Sequence, residues 1–541
     1  MFHHRSAKPG RNRIFWRWLF FTALSAVLLT SGISITSGRT QAVEPAQAPA
    51  ANHLFLPLVT QGKGEKPGVT PALTPTPAPP VLPTVTPVPP ASRQAIFASG
   101  EWKTSSASVK VDPQGGLHLG YYFYEPSNGQ APTAAAYRYC AGQCDNAANW
   151  QTVRLAEDRV VLEVQLALTA AGQPRLLIRA SSTVLAGGKD FLYAACDQTC
   201  TDATQWQVTY ILTSHGMDAF ETNDDKLPQR SFTLDPQGRP RFVYQDRNYF
   251  YAEPDHIGAF YVYCDADCTQ NSAANPTWFQ TLISEQDAED GIIYVYEMFD
   301  YPALTFTSQG APRLLANVNA LGDQPDGLYY LGCDAGCDQK ANWQRIYLLD
   351  RGAYVEVSWD LALDSQNRPR VAYYKGQGDD TGEKLYYLFC NGNCLTNPGD
   401  WQFNDPGLVK GNGKSPDLEL DAQGRPRIAY VDDTAGGVGY LWCNSDCEGD
   451  NAVWQQQIIE SHATLMQAWP IAHPLACPNG LWHSLAPVLA LDGAGNPRLA
   501  FDATYHASCL YDENPYDNEP ATMGFHLIQR AVRGVFFLQP E

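Results

Sequence analysis

From residue 103 onward, short apolar runs alternate with tight clusters of Asp, Gly, Asn, Pro and Gln. One phrase shows the pattern at its cleanest: Leu420-Asp-Ala-Gln-Gly-Arg-Pro-Arg-Ile-Ala-Tyr430. An apolar strand ends at Asp, four turn positions follow, and a second strand opens at Pro-Arg. Asp caps such a turn, Gly or Asn tolerates positive φ, and Pro at a strand start loses no needed donor. The phrase recurs as Leu234 to Tyr244, Leu363 to Tyr373 and Leu491 to Phe501. Weaker copies are Leu168 to Ile178, Phe306 to Ala316 and a divergent Val111 to Tyr121.

A second phrase follows each of the first six copies. An aromatic-rich strand ends in Cys-x-x-x-Cys, and a Trp opens the next strand. The pairs are Cys140/Cys144, Cys196/Cys200, Cys264/Cys268, Cys333/Cys337, Cys390/Cys394 and Cys443/Cys447, with Trp150, Trp206, Trp278, Trp343, Trp401 and Trp454. Each unit thus reads as four short strands, A to D. Seven such units predict an all-β, seven-bladed β-propeller of four-stranded antiparallel blades over residues 94–541, where radial repetition leaves only short, protected sheet edges. In the seventh unit, A is Val488 to Leu491, B is Pro497 to Phe501 and C is Met523 to Leu527. Its D strand is either Gly534 to Leu538 or, from the other end of the chain, Gln94 to Ser99.

Residues 1–42 read as an export signal: Arg5, Lys8, Arg11, Arg13 and Arg17 precede an apolar stretch from Trp18 to Ile35, and Thr40-Gln41-Ala42 offers a small-residue cleavage site. The alternative is a signal anchor; no later apolar run is long enough to span a bilayer. Residues 43–93 form a Pro/Thr-rich linker, without a packed core and rich in polyproline II, which extends about 3.1 Å per residue. Sec export to the outside or the cell surface is the expected address. There the six Cys pairs are expected to close as local disulfides, because zinc needs four ligands and no second pair or His accompanies each motif. Cys477 and Cys509 fall in loops of one face and are expected to bridge. With 37 basic against 57 acidic residues, a net charge of −20, nucleic acid is excluded as a partner. No cofactor or metal motif occurs.

Chemistry that repeats in every blade is expected to be structural. Arg175, Arg241, Arg313, Arg370, Arg427 and Arg498 head strand B and read as turn-bonding groups, and the six Trp read as core between blades. Function is expected on the long, irregular D–A and B–C loops, which share one face. These are Thr213 to Arg230, Gln245 to Gly258, Glu285 to Tyr301, Gly376 to Glu383, His462 to Leu485 and Asp502 to Thr522. Carboxylates mixed with aromatic rings suit sugars, whose apolar faces stack on rings and whose hydroxyls bond to acids. The ligand-binding candidates are Trp469, Trp482, His483, Tyr249, Tyr251, Asp255, His256, Glu297, Asp300, Tyr505 and Tyr511.

The Leu-Asp-x-x-Gly-x-Pro-Arg-x-Ala-Tyr phrase resembles, in repeat style, the secreted bacterial propellers related to the Asp-box (BNR) proteins of the sialidase superfamily. Neither the Asp-box, Ser-x-Asp-x-Gly-x-x-Trp, nor a Phe-Arg-Ile-Pro phrase occurs, so no sialidase residue carries over to a numbered position. The expected function is a non-catalytic module that binds a glycan or an extracellular protein. The alternatives are a polysaccharide-active enzyme, as a sialidase-like hydrolase with paired carboxylates or a lyase, and a structural surface protein.

Overall fold

The computed structural model describes the chain from Arg93, apart from 96–102, 125–132, 215–229, 248–256, 321–324, 351–356, 377–382, 469–480, 513–522, 527–531, 539–541 and single loop positions. The signal and the linker lie outside the described residues. A three-residue strand, β1 (Arg93–Ala95), comes first, and six sheets of four consecutive antiparallel strands follow. Blade one is β2 (Lys103–Val111), β3 (Leu117–Tyr124), β4 (Thr133–Cys140) and β5 (Gln151–Leu155). Blade two is β6 (Val161–Leu168), β7 (Pro174–Ser181), β8 (Lys189–Ala195) and β9 (Gln207–Ser214). Blade three is β10 (Phe232–Leu234), β11 (Pro240–Arg247), β12 (Ile257–Cys264) and β13 (Trp278–Leu282).

A hairpin, β14 (Gln286–Glu289) and β15 (Ile292–Val295), precedes blade four, made of β16 (Glu297–Phe306), β17 (Pro312–Ala320), β18 (Gly327–Gly332) and β19 (Gln344–Asp350). Blade five is β20 (Val357–Leu363), β21 (Pro369–Lys375), β22 (Lys384–Cys390) and β23 (Trp401–Asn404). Blade six is β24 (Lys414–Leu420), β25 (Pro426–Asp432), β26 (Gly437–Cys443) and β27 (Trp454–Glu460). The short helix α1 (His462–Ala468) leads to β28 (Leu481–Leu491) and β29 (Pro497–His506). Last come the hairpin β30 (Cys509–Asp512)/β31 (Met523–His526) and β32 (Val532–Leu538).

The expectation of seven like units is corrected at the seventh copy. Six blades are each made of four consecutive strands; the last sheet is composite, in the order β1-β32-β29-β28. Met523 to Leu527 is not its third strand, because β31 pairs with β30 apart from that sheet. Nor is Gly534 to Leu538 its fourth strand: β32 pairs with β29 and takes the third place. The fourth place falls to β1, in register Arg93 opposite Leu538. The reason is visible in the chain. The last copy lacks the Cys-x-x-x-Cys and Trp phrase that turns strand C into strand D, so its edge is covered by a strand from the other end.

The first strands form a closed ring: β2 packs on β6, β6 on β10, β10 on β16, β16 on β20, β20 on β24, β24 on β28, and β28 on β2. The core lies between neighbouring sheets rather than in one central mass. One cluster joins Tyr137 of blade one to Leu176 and Trp206 of blade two, and another joins Tyr387 of blade five to Ile428 of blade six.

All six Cys-x-x-x-Cys pairs are disulfides, as expected. Cys140 is bonded to Cys144, Cys196 to Cys200 and Cys264 to Cys268. Cys333 is bonded to Cys337, Cys390 to Cys394 and Cys443 to Cys447. The first Cys of each pair is buried at the end of strand C. The second stands farther out on the loop: Cys144 is still buried, whereas Cys337 and Cys394 are half-buried. The Cys477–Cys509 pairing falls on a residue outside the described ones.

The recurrent Trp does two things. Its ring meets, edge-on, a Tyr on the third strand of the preceding blade: Trp206 on Tyr137 at 4.9 Å, Trp278 on Tyr193 at 5.3 Å, Trp343 on Tyr261 at 5.2 Å. Trp401 on Tyr330 and Trp454 on Tyr387 follow suit. Its indole N–H donates to the carbonyl of the second Cys. Trp150 reaches Cys144 and Trp206 reaches Cys200, each at 2.9 Å. Trp343 reaches Cys337 and Trp401 reaches Cys394, each at 3.0 Å. In blade six Asn404 of blade five takes that carbonyl, Cys447 O, at 2.9 Å.

Three of the six arginines, Arg241, Arg370 and Arg427, clamp the turn carboxylate to the Cys loop. Arg175 and Arg313, whose turns carry Thr169 and Thr307, hold the Cys loop, and Arg498 holds the turn carboxylate of Asp492. In blade six, Arg427 reaches Cys443 O at 2.8 Å, Asn444 at 2.9 Å and the turn carboxylate of Asp421 at 2.7 Å, while Asp421 accepts the backbone N–H groups of Gln423 and Arg425. The guanidinium therefore ties the A–B turn to the disulfide loop. The positive φ of Gly424, +75°, shows why glycine stands at the turn. Blade one departs: His118 replaces the arginine, its Nε2 lying 3.1 Å from Asp112 and its Nδ1 2.7 Å from the Tyr137 hydroxyl.

Replacing Trp206 by Ala removes a ring that is 7% exposed, together with its indole hydrogen bond. The expected cost is about 3–5 kcal/mol, read as a lower denaturation midpoint of the oxidised protein. Val160→Ala, at a position 46% exposed, is expected to leave that midpoint within about 0.5 kcal/mol.

Candidate functional site

The first strand of each sheet lines the hub, and a cavity of about 320 Å³ opens there. Its walls include Lys110 of β2, Gln165 of β6, Thr305 of β16, Asp360 of β20, Asp417 and Glu419 of β24, and Leu489 of β28, with Arg230 just before β10. Strand alternation points every second residue inward, so Asp417 and Glu419 share the hub side of β24.

Arg230 is the centre of this group. Its guanidinium lies 2.8 Å from Asp360 and 3.1 Å from Asp417, and it also donates to Pro416 O at 3.0 Å. Across the cavity Lys110 and Glu419 approach to 3.4 Å, both more open to solvent, at 41% and 33% exposure. Three carboxyl groups thus meet two cations in a confined space, so one of them can hold a proton without leaving a cation unmatched. Burial, reinforced by the charges of Asp360 and Glu419 against the opposing pull of Arg230, pushes the Asp417 carboxyl up to about 7.

The same carboxylates join blade to blade. Asp360 accepts the N–H of Leu418 in the next blade at 2.7 Å, and Asp417 accepts the N–H of Leu489 at 2.6 Å. The corresponding residue in blade one, Ser108, accepts from Leu166 at 3.3 Å; in blade two, Gln165 accepts from Phe232 at 2.8 Å. Between blades three and four the backbone does this work, with Leu304 N donating to Arg230 O. One position of the repeat therefore reads Ser108, Gln165, Ser231, Ala303, Asp360, Asp417 and Val488. Its two acids supply both a joint and the charge of the hub.

The loop-face residues singled out from the sequence are placed unevenly. Trp482 and Tyr505 occupy paired register positions on β28 and β29, with His483 opposite Thr504. Glu297 and Asp300 lie on β16, opposite Ala320 and Asn317. Tyr511 lies on β30, opposite Gly524. Trp469, Tyr249, Tyr251, Asp255 and His256 lie outside the described residues. The bridged cysteines, Cys144, Cys337 and Cys394 among them, belong to the scaffold and do not line the hub. Sequence reasoning directed at irregular loops misses the hub acids Asp360, Asp417 and Glu419. Their signal is the variation of that one repeat position. Among the described residues no group of acids, His or Cys is arranged to hold a metal ion, and no helix is long and apolar enough to cross a membrane.

A carboxyl whose pKa is higher in the folded than in the unfolded chain makes the folded state hold more protons. Stability is then full below the unfolded value and is lost as pH rises through the folded one. For Asp417 that loss continues to either side of pH 7, above the range in which the unfolded chain titrates its carboxylates. His118, pushed below its ordinary value by burial against the opposing Asp112 contact, acts in the other direction only below about pH 6.5. The thermal midpoint is therefore expected to fall between about pH 6.5 and pH 8, and to fall less in Asp417→Asn, as followed by circular dichroism.

No family model matches the chain, and no curated protein matches it. Solved structures do. A protein of unknown function from Dyadobacter fermentans aligns over 83% of this chain and 98% of its own, with TM-score 0.41 and 10% identity. The α-L-arabinanase of Penicillium chrysogenum, solved with arabinobiose, aligns over 70% and 99%, with TM-score 0.39 and 12% identity. The leech intramolecular trans-sialidase aligns over 76% and 67%, with TM-score 0.36 and 10% identity. At such identities and scores none of them carries an activity to this chain, and the functional reading rests on the hub itself.

Proposed function

We propose that this is an exported β-propeller that acts on saccharide, with the hub cavity as the place where a sugar is held. The observation that carries the reading is the convergence of Asp360, Asp417 and Glu419 on a cavity where, among the described residues, Arg230 and Lys110 balance them. A carboxyl that keeps its proton near neutrality, beside other carboxylates, is the pairing that glycoside hydrolysis uses for acid and for base or nucleophile. Asp417 is the acid in this reading, and Glu419, the most open of the three, is its partner. Arg230 and Lys110 position them. The strand ends bearing Trp482, Tyr505 and Glu297 supply stacking and hydroxyl contacts beyond the hub.

A binding module without turnover is the second reading. What favours it is that Asp360 and Asp417 already accept backbone N–H groups of neighbouring blades, which ties these acids to the scaffold.

The test is a reducing-sugar assay with the full, oxidised chain on arabinan, xylan, pectin and a sialylated glycoprotein, beside a binding measurement on each. Release of sugar is expected, reduced by about 100-fold or more in Asp417→Asn and in Glu419→Gln. Binding without release selects the second reading, and the absence of both overturns the proposal.

A further inference from the structure

The propeller repeats one cleft around its disulfide face. It lies between the third strand and Cys loop of one blade and the turn and Cys loop of the next, and in blades five and six the residue after the second Cys fills it. In blade five that residue is Leu395, and it lies over blade four so closely that a Cβ at Gly332 would sit 2.9 Å from its side chain. In blade six it is Glu448, which bonds back to Arg370 and to Asn391 of blade five, each at 2.7 Å. In blade three it is Thr269. That side chain is too short to cross, and a cavity of about 450 Å³ stands open between blades two and three.

The walls of this cleft are already set. Arg175 is held by Cys196 O at 2.8 Å and Asp197 at 2.7 Å, and Arg239 by Asp235 at 2.7 Å. The Thr269 carbonyl is fixed by the Thr209 hydroxyl of blade two at 2.8 Å. Between these fixed groups Gln198, Gln205 and Gln207 stand exposed, with Tyr193 at the base. The volume falls in the range of about 300–1,000 Å³ typical of small-ligand sites, yet the lining is polar where such sites are usually apolar. Amides present a donor and an acceptor side by side, which is the pattern that neighbouring hydroxyls on a sugar ring satisfy. Both guanidinium groups are already matched by carboxylates, so the cleft offers no net positive charge to an acidic ligand.

We propose that the cleft between blades two and three is a binding site for a neutral oligosaccharide, left open because Thr269 stands where Leu395 and Glu448 fill the equivalent clefts. The inference goes beyond the hub reading and shares no lining residue with it, so either stands if the other fails.

The test is saturation-transfer NMR and calorimetry on the full, oxidised chain with cellotetraose, maltotetraose, xylotetraose and linear arabinotetraose. At least one is expected to bind. Thr269→Leu, which copies the filled cleft of blade five, is expected to weaken that binding by about tenfold or more. Gln207→Ala, on an exposed position of the wall, weakens it in the same direction and keeps the test decisive if the first variant does not fold. No binding of any probe to the folded wild type overturns the proposal, as does binding that both variants leave unchanged.

Discussion

A propeller blade cannot stand alone, because its faces are apolar and need neighbours; what matters most here is how each blade is joined to the next. Three joints do this at increasing radius. At the hub, a side chain on the first strand accepts an N–H from the first strand of the next blade, as Asp360 does from Leu418. Midway, the Trp of one blade meets the Tyr of the blade before it. At the rim, a residue three beyond the Trp, Thr209, Thr281 or Asn404, donates to the Cys loop of the following blade. The disulfides therefore do more than shorten their own loops: they fix the acceptors on which the outer joint depends.

The hub joint is where structure and chemistry meet. A buried carboxylate that accepts one backbone N–H is a modest stabilising element, whereas two of them sharing one guanidinium, with a third close by, crowd their charges so that one carboxyl holds its proton. Burial raises the cost of that charge, because less water is at hand to solvate it. The acids gather on neighbouring blades five and six because only those two carry Asp at the repeat position where the others have Ser, Gln, Ala or Val.

Much of this architecture is legible because the repeat is carried by turn chemistry. Asp or Thr, then Gly or Asn, mark every A–B turn, Pro-Arg follows in all but the first, and Cys-x-x-x-Cys and Trp mark the first six C–D loops. Where those marks cease, in the last unit, the strand order cannot be read: Met523 carries no Cys or Trp signal, and the third strand, Val532–Leu538, resembles an edge. The repeated Arg and Trp are structural, as their repetition implies, since both bond within the scaffold. The hub escapes the sequence for a physical reason. A polar residue on an inward-facing strand position looks like any solvent-facing alternation until the ring closes and seven first strands turn it toward one cavity.

The most direct test of the hub account is amide hydrogen exchange on the full, oxidised chain, with and without a saccharide that the protein binds or cleaves. The account predicts slower exchange in the first strands of blades five and six, Val357–Leu363 and Lys414–Leu420, including the Leu418 amide held by Asp360. Protection confined to the outer strands, with those two segments unchanged by bound saccharide, would contradict it.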